Sequence, residues 1–330
     1  MTGDTHNQIA PTDANPGHPA HEHHRHGADR VQPASAAHGG HAGHHGHELD
    51  WAALGAELER DAELSLDGLD AAIGWIRETL DAPAHAKGRV LDVGSGPGVA
   101  ACRLARHFPA AEVVAVDGTP DLLARAQRRA AEQGLADRLT TRLADLSHDV
   151  PDLGPANLVW TSQTIHHLGD QGAALGALGR SLRPGGVLAV AEGGLPPRFL
   201  PRDIGLGRPG LLARVEAARE EAFTAMRAQL PDQRRVVEDW PTMLAEAGLT
   251  PTGSRTFLTE LRPPLAPWVR EHLRGRLART RHQLADHLGP DDLTTLDRLA
   301  DPDASDGLLR RPDVFYLAAS TVHTARARPA

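Results

Sequence analysis

Residues 89–108 read RVLDVGSGPGVAACRLARHF. An apolar run enters three closely spaced glycines and leaves into a helical pattern. Glycine adopts backbone angles closed to other residues and lets a ligand approach the main chain. A turn of this kind between a strand and a helix usually holds a nucleotide-like ligand. The turn is Gly94-Ser95-Gly96-Pro97-Gly98, that is G-x-G-x-G, and not the G-x-G-x-x-G of dinucleotide binders. Asp92 stands inside the end of the strand, two residues before the first glycine. A carboxylate there would repel a pyrophosphate. It suits a ligand with an ammonium group and no phosphate, and S-adenosylmethionine is such a ligand.

Working outward, apolar strands alternate with helices. Strands are expected at 89–93, 112–117, 138–143, 157–161 and 186–192, and helices at 97–107, 119–133 and 170–182. That alternation predicts an α/β fold, a doubly wound and mostly parallel sheet with helices on both faces. Two helices, 49–64 and 66–80, precede it, the second closed by the DAP breaker at 81–83. Segments 248–261 and 313–324 read as a closing strand pair, with helices at 209–229, 236–247 and 266–288 between the fifth strand and the last.

The later motifs agree with the glycine turn. Asp117 ends the second strand, where a carboxylate can grip both hydroxyls of a ribose. ADL at 144–146 follows the third strand, and LRPGGVLAVAE at 182–192 is a turn leading into a buried strand. LDVGSGPG, VVAVDGTPDLLARA, ADL, HHL and LRPGGVLAVAE, in that order, resemble the successive motifs of the class I S-adenosylmethionine-dependent methyltransferases, across roughly residues 48–324. The resemblance implies a Rossmann-like seven-stranded sheet with its last strand antiparallel. It also implies N-terminal helices at 48–84 and a helical insertion before the last strand, within a domain covering 48–330. Gly94, Ser95, Gly96 and Gly98 would border the methionine part and the ribose of the cofactor. Asp117 would hold the ribose, while Gly118, Asp145 and Leu146 would frame the adenine. Trp160 would offer its main-chain carbonyl to the methionine ammonium. Asp92 would bind the ligand through water or pin the turn by accepting backbone N–H groups.

Methyl transfer from a sulfonium needs mainly alignment and desolvation. A base is needed only where the acceptor still holds its proton. TSQTIHHLGD, 161–170, supplies two candidates, His167 as the best single one and His166 beside it, with a packing role as the alternative. No Asn/Asp-Pro-Pro-Tyr/Phe follows the fourth strand, so nucleobase amino methylation is not expected. Cys102, the only cysteine, falls in the first helix after the turn, away from any cytosine C5 chemistry. No acidic pair marks a catechol-binding metal, and no metal ligand is assigned in the domain. A small-molecule acceptor remains, its choice expected to lie in cap segments at 193–235 and 262–312. Two other readings stand beside this one. A dehydrogenase is disfavoured by G-x-G-x-G and Asp92. A non-catalytic, metal-responsive binding protein on the same fold is the alternative.

Composition bounds the rest. The chain has 330 residues, 40% of them hydrophobic, and a net charge of -8. That balance argues against a nucleic-acid partner, and 3% aromatic residues leave no base-stacking platform. Neither a signal peptide nor an apolar run long enough for a bilayer is visible, so neither a membrane nor export is expected. A single cysteine fits the cytoplasm. Residues 1–47 hold most of the 20 histidines, with almost no large apolar side chains, and should form a disordered arm. Its imidazoles could bind a divalent metal such as zinc, nickel or cobalt.

Overall fold

The computed structural model describes residues 51–80, 88–146 and 153–329. The histidine-rich arm at 1–47 and the breaker at 81–83 lie outside the described residues. Two helices come first, α1 (Trp51–Leu64) and α2 (Leu66–Thr79). The α/β core follows as β1 (Gly88–Val93), α3 (Val99–His107), β2 (Ala111–Asp117), α4 (Pro120–Glu132), β3 (Leu139–Leu143), β4 (Ala156–Ser162), α5 (Gln171–Arg180) and β5 (Leu182–Arg198). The last third is α6 (Leu211–Arg227), α7 (Trp240–Glu246), β6 (Thr250–Leu261), α8 (Pro267–Gln283), α9 (Pro290–Ala300) and β7 (Tyr316–Arg326).

The strands form one seven-stranded sheet in the order β3-β2-β1-β4-β5-β7-β6. β1 pairs in parallel with β2 on one side and with β4 on the other. β7 runs antiparallel to both β5 and β6, as the sequence predicts. The strand order reverses at β1, and in open parallel sheets ligands bind outside the carboxyl ends of the strands at such a point.

Period-two alternation divides the strand side chains between two layers. Val90, Val113, Ala115, Leu158, Trp160 and Ala189 pack with Ile73 and Ile76 of α2 and Leu104 of α3 on one face. Leu91, Val93, Val114, Val116, Val159 and Leu188 pack with Leu175 of α5 and Leu244 of α7 on the other. A third cluster lies beyond these two and takes in Tyr316 and Ala318 at the start of β7. It joins Leu211 and Val215 of α6, Leu273 and Leu277 of α8, and Leu296 and Leu299 of α9. The two cap segments therefore pack together in an apolar core that they share with Leu64 of α1 and the start of β7.

Two elements differ from the sequence reading. β5 does not stop at Glu192. It passes irregularities after Ala191 and after Leu195 and continues along β7 to Arg198. Gly194, at φ +117, makes this possible, because a Cβ there would strike the Ala319 backbone. The helix expected at 266–288 ends at Gln283, and α9 begins again at Pro290, with Pro at the first helical position where its missing N–H is tolerated.

Candidate active site

The chain leaves β1 through Gly94, Gly96 and Gly98, whose φ angles are +74, +52 and +77. The turn is tied to the end of β2. The Gly94 and Ser95 N–H groups donate to the Val116 carbonyl at 2.9 and 3.0 Å. Both carboxylate oxygens of Asp117 take part as well. Oδ2 accepts from the Gly96 N–H at 2.8 Å and Oδ1 from the Thr119 N–H at 2.9 Å.

The three glycines have different surroundings. A Cβ on Gly94 would collide with Thr164, and one on Gly98 would lie 2.9 Å from the Ala126 Cα. A Cβ on Gly96 would meet nothing within 4 Å. Packing explains the first and third glycines, whereas the flank of the second opens onto free space.

Asp92 is 1% exposed, beneath this turn. Burial, reinforced by the nearby Asp117 charge, pushes its carboxyl up to about 7, against a hydrogen bond from the Ala101 backbone. That bond pins the first turn of α3. The other oxygen, Oδ2, is buried without a hydrogen-bond partner. Asp92 thus pins the turn and still keeps a polar atom unpaired. The Ser95 and Thr119 hydroxyls are also buried without partners.

Beyond β3, Asp145 is exposed and Leu146 buried, and the Ala144 N–H donates to the Asp117 carbonyl at 3.1 Å. Gly118 is half-buried beside Asp117. The structure thus groups the glycine turn, Asp92, Asp117, Gly118 and the start of the ADL segment at the ends of β1, β2 and β3. Trp160 does not end its strand. It pairs with Asp92 on one side and Ala189 on the other, while β4 continues to Ser162.

The two histidines form a 3-10 turn, Ile165–His167, just after β4. Their rings lie 4.0 Å apart, and Phe223 of α6 meets both edge-on at 5.4 and 5.7 Å. A residue the sequence reading missed organises the turn. Glu192, 1% exposed, accepts from the Thr164 and Ile165 N–H groups through Oε1, each at 2.9 Å. Its Oε2 lies 2.6 Å from His166 Nδ1. Arg227 of α6 donates to the His166 and Leu168 carbonyls and holds the turn from the other side. The Glu192 carboxylate therefore stands against His166. The signal for Glu192 was an acid closing the apolar run GVLAVAE, as Asp92 interrupts LDV. Among the described residues, no group of three His, Cys, Asp or Glu side chains could hold a metal ion. No helix of the described residues is long and apolar enough to cross a membrane.

The family model for the methyltransferase domain matches residues 90–186, which hold the glycine turn, Asp117 and both histidines. A trans-aconitate 2-methyltransferase of Methylobacterium nodulans is 32% identical over 218 residues, 63% of this chain and 81% of that protein. A demethylmenaquinone methyltransferase of Thermus thermophilus is 38% identical over 129 residues, 39% of this chain and 58% of that protein. An uncharacterized protein of a Synechococcus strain is 38% identical over 110 residues, 33% of this chain. This chain spans 26% of that last protein's length. With the turn, the sheet order and a relative matched over four fifths of its length, the chain belongs to the class I S-adenosylmethionine-dependent methyltransferases.

Proposed function

We propose that the glycine turn binds S-adenosylmethionine and that the protein transfers a methyl group to a small-molecule acceptor. The observation that carries this is the open flank of Gly96, beside a carboxylate that already receives its N–H. The donor set fits the cofactor. The Asp117 carboxylate stands at the end of β2, where it would meet ribose hydroxyls, and the unpaired Asp92 Oδ2 suits an ammonium, directly or through water. Gly94, Ser95, Gly98, Gly118, Asp145 and Leu146 complete the cofactor side. The Trp160 main-chain carbonyl would face the methionine ammonium from two residues before the end of β4.

When bound, the cofactor would supply an electrophilic sulfonium methyl, whose transfer depends on alignment and exclusion of water. The chain's own task is the acceptor's proton. Glu192 fixes His166 with Nδ1–H directed at the carboxylate, which leaves Nε2 as the proton acceptor. That atom can take the proton of a hydroxyl or an ammonium as the acceptor is methylated. His167 and Phe223 fix the plane of the His166 ring by packing. Two relatives are named for small acceptors, trans-aconitate and demethylmenaquinone, which supports the acceptor class. The test is incubation with methyl-labelled S-adenosylmethionine and a cell extract separated by size. Label should enter the low-mass fraction. Label confined to protein or nucleic acid overturns the acceptor class.

A further inference from the structure

A cavity of about 390 Å³ is shared by five helices, α1, α3, α4 and the starts of α2 and α8. Its volume lies within the range of small-molecule pockets, about 300–1,000 Å³. α3 gives it one stripe, Val99, Cys102, Arg103 and Arg106, at the spacing of a single helix face. α4 gives Arg129 and, one turn on, its C-cap Gln133. Val99 directly follows Gly98, so the cavity backs onto the cofactor turn while using none of that turn's residues, and none of the histidine turn's.

Its walls have two characters. Leu66, Val99 and the buried Cys102 are apolar. Burial pushes the Cys102 thiol up to about 11, which makes it a neutral wall atom and not a nucleophile. Trp268 of α8 is 41% exposed, and tryptophan is ordinarily a well-buried residue. The Arg60 guanidinium lies over its ring at 5.5 Å. The charged wall holds four arginines and one acid, Glu63. Arg60 and Arg129 both reach Glu63, at 3.2 and 3.3 Å, and Arg129 also meets Glu59 at 3.7 Å. Arg103 Nε donates to Asp70 Oδ1 at 2.6 Å, with the Asp67 charge nearby. Arg106 is exposed and has no carboxylate partner among the described residues. Two polar atoms of the α4 wall, Arg129 Nε and Gln133 Oε1, are buried without hydrogen-bond partners, a deficit that a bound polar group relieves. Ion pairing alone explains neither an open indole nor unpaired buried atoms at the wall of a cavity.

We infer that this cavity is a second small-molecule site, for a small aromatic carboxylate, separate from the cofactor and from the methyl acceptor. The ring would lie against Trp268 and the apolar wall, since aromatic pairs gain more than their buried area gives. The carboxylate would meet Arg106, whose planar fork matches its two oxygens. A single guanidinium without an acid calls for a monoanionic head, whereas a phosphate monoester carries about -1.5 to -2 near pH 7. The inference does not depend on the methyltransferase reading.

The experiment is a ligand-observed NMR titration of the full chain, with and without saturating S-adenosylhomocysteine. Phenylacetate is the probe and phenylacetamide its neutral counterpart. Phenylacetate should bind in both samples, and the amide about tenfold more weakly. Trp268→Ala and Arg106→Gln should each weaken phenylacetate about tenfold and leave S-adenosylhomocysteine affinity unchanged. No binding of phenylacetate, equal binding of the amide, displacement of phenylacetate by S-adenosylhomocysteine, or unchanged affinity in either folded variant overturns the assignment. Where one of these variants fails to fold, Trp268→Phe or Arg106→Lys takes its place, with a smaller loss expected. If S-adenosylhomocysteine does not bind while phenylacetate depends on Trp268 and Arg106, the cofactor reading fails and this site stands.

Discussion

Asp92→Asn separates the energetic effect of this buried acid from its use. The carboxyl is held at about 7 in the fold against an ordinary 3.8. A raised carboxyl pKa means that the native state binds more protons than the unfolded state between these values. The stability contributed by Asp92 is therefore fully present below about 3.8, falls as pH rises through 7, and levels off above it. At pH 8 the full shift corresponds to about 4 kcal/mol, and at pH 5 to about 1.5–2 kcal/mol. Asparagine does not titrate, and its carbonyl oxygen can keep the Ala101 bond. The stability of Asp92→Asn relative to the wild type should therefore increase by about 2–3 kcal/mol between pH 5 and pH 8. Urea denaturation at pH 5, 6, 7 and 8 measures the difference. The same variant should bind S-adenosylhomocysteine about tenfold more weakly, because a charged acceptor for the ammonium is gone. A stability difference that is flat across pH would refute the reasoning, and so would one that shrinks as pH rises.

Further outcomes follow from the site. Asp117→Ala should lower S-adenosylhomocysteine affinity more than about tenfold by calorimetry, with the fold retained; unchanged affinity would remove it from the ribose site. His166→Ala and Glu192→Gln should each lower turnover at least about a hundredfold while cofactor affinity stays constant. Normal turnover in a folded His166→Ala protein would leave the turn a packing role. Gly98→Ala should cost about 1–3 kcal/mol, because φ +77 and the Ala126 contact both resist a side chain. Gly96→Ala should cost about 1 kcal/mol and chiefly weaken cofactor binding. Equal stability losses for the two glycines, measured by urea, would contradict the open flank at Gly96.

The core strands were legible because a parallel sheet buried on both faces writes nearly continuous apolar runs, such as RVLDV and EVVAV. The extension of β5 was not. Gly193-Gly194 and Pro196-Pro197 have the composition of a loop, and only the pairing with β7 keeps them extended. The glycine turn and Asp117 were readable because their spacing lies within one βαβ unit. Glu192 was not, since its partner His166 is 26 residues away and an acid at a strand end reads as a solvated terminus. The ion pairs that join α1 to α8 were still less accessible. Asp61 meets Arg276 across 215 residues, and nothing in the local pattern of α8 separates those arginines from a solvated face. Trp160 shows the opposite error, since its motif position put it at a strand end that lies two residues further on.

The central claim is that the Gly94–Gly98 turn, with Asp92 and Asp117, holds S-adenosylmethionine rather than a dinucleotide. Calorimetric titration of the full chain with S-adenosylhomocysteine, and separately with NADH, tests it most directly. The account predicts one-to-one binding of S-adenosylhomocysteine, weakened more than about tenfold in Asp117→Ala, and no heat of binding from NADH. Saturable binding of NADH, or no binding of S-adenosylhomocysteine to the folded protein, would contradict it.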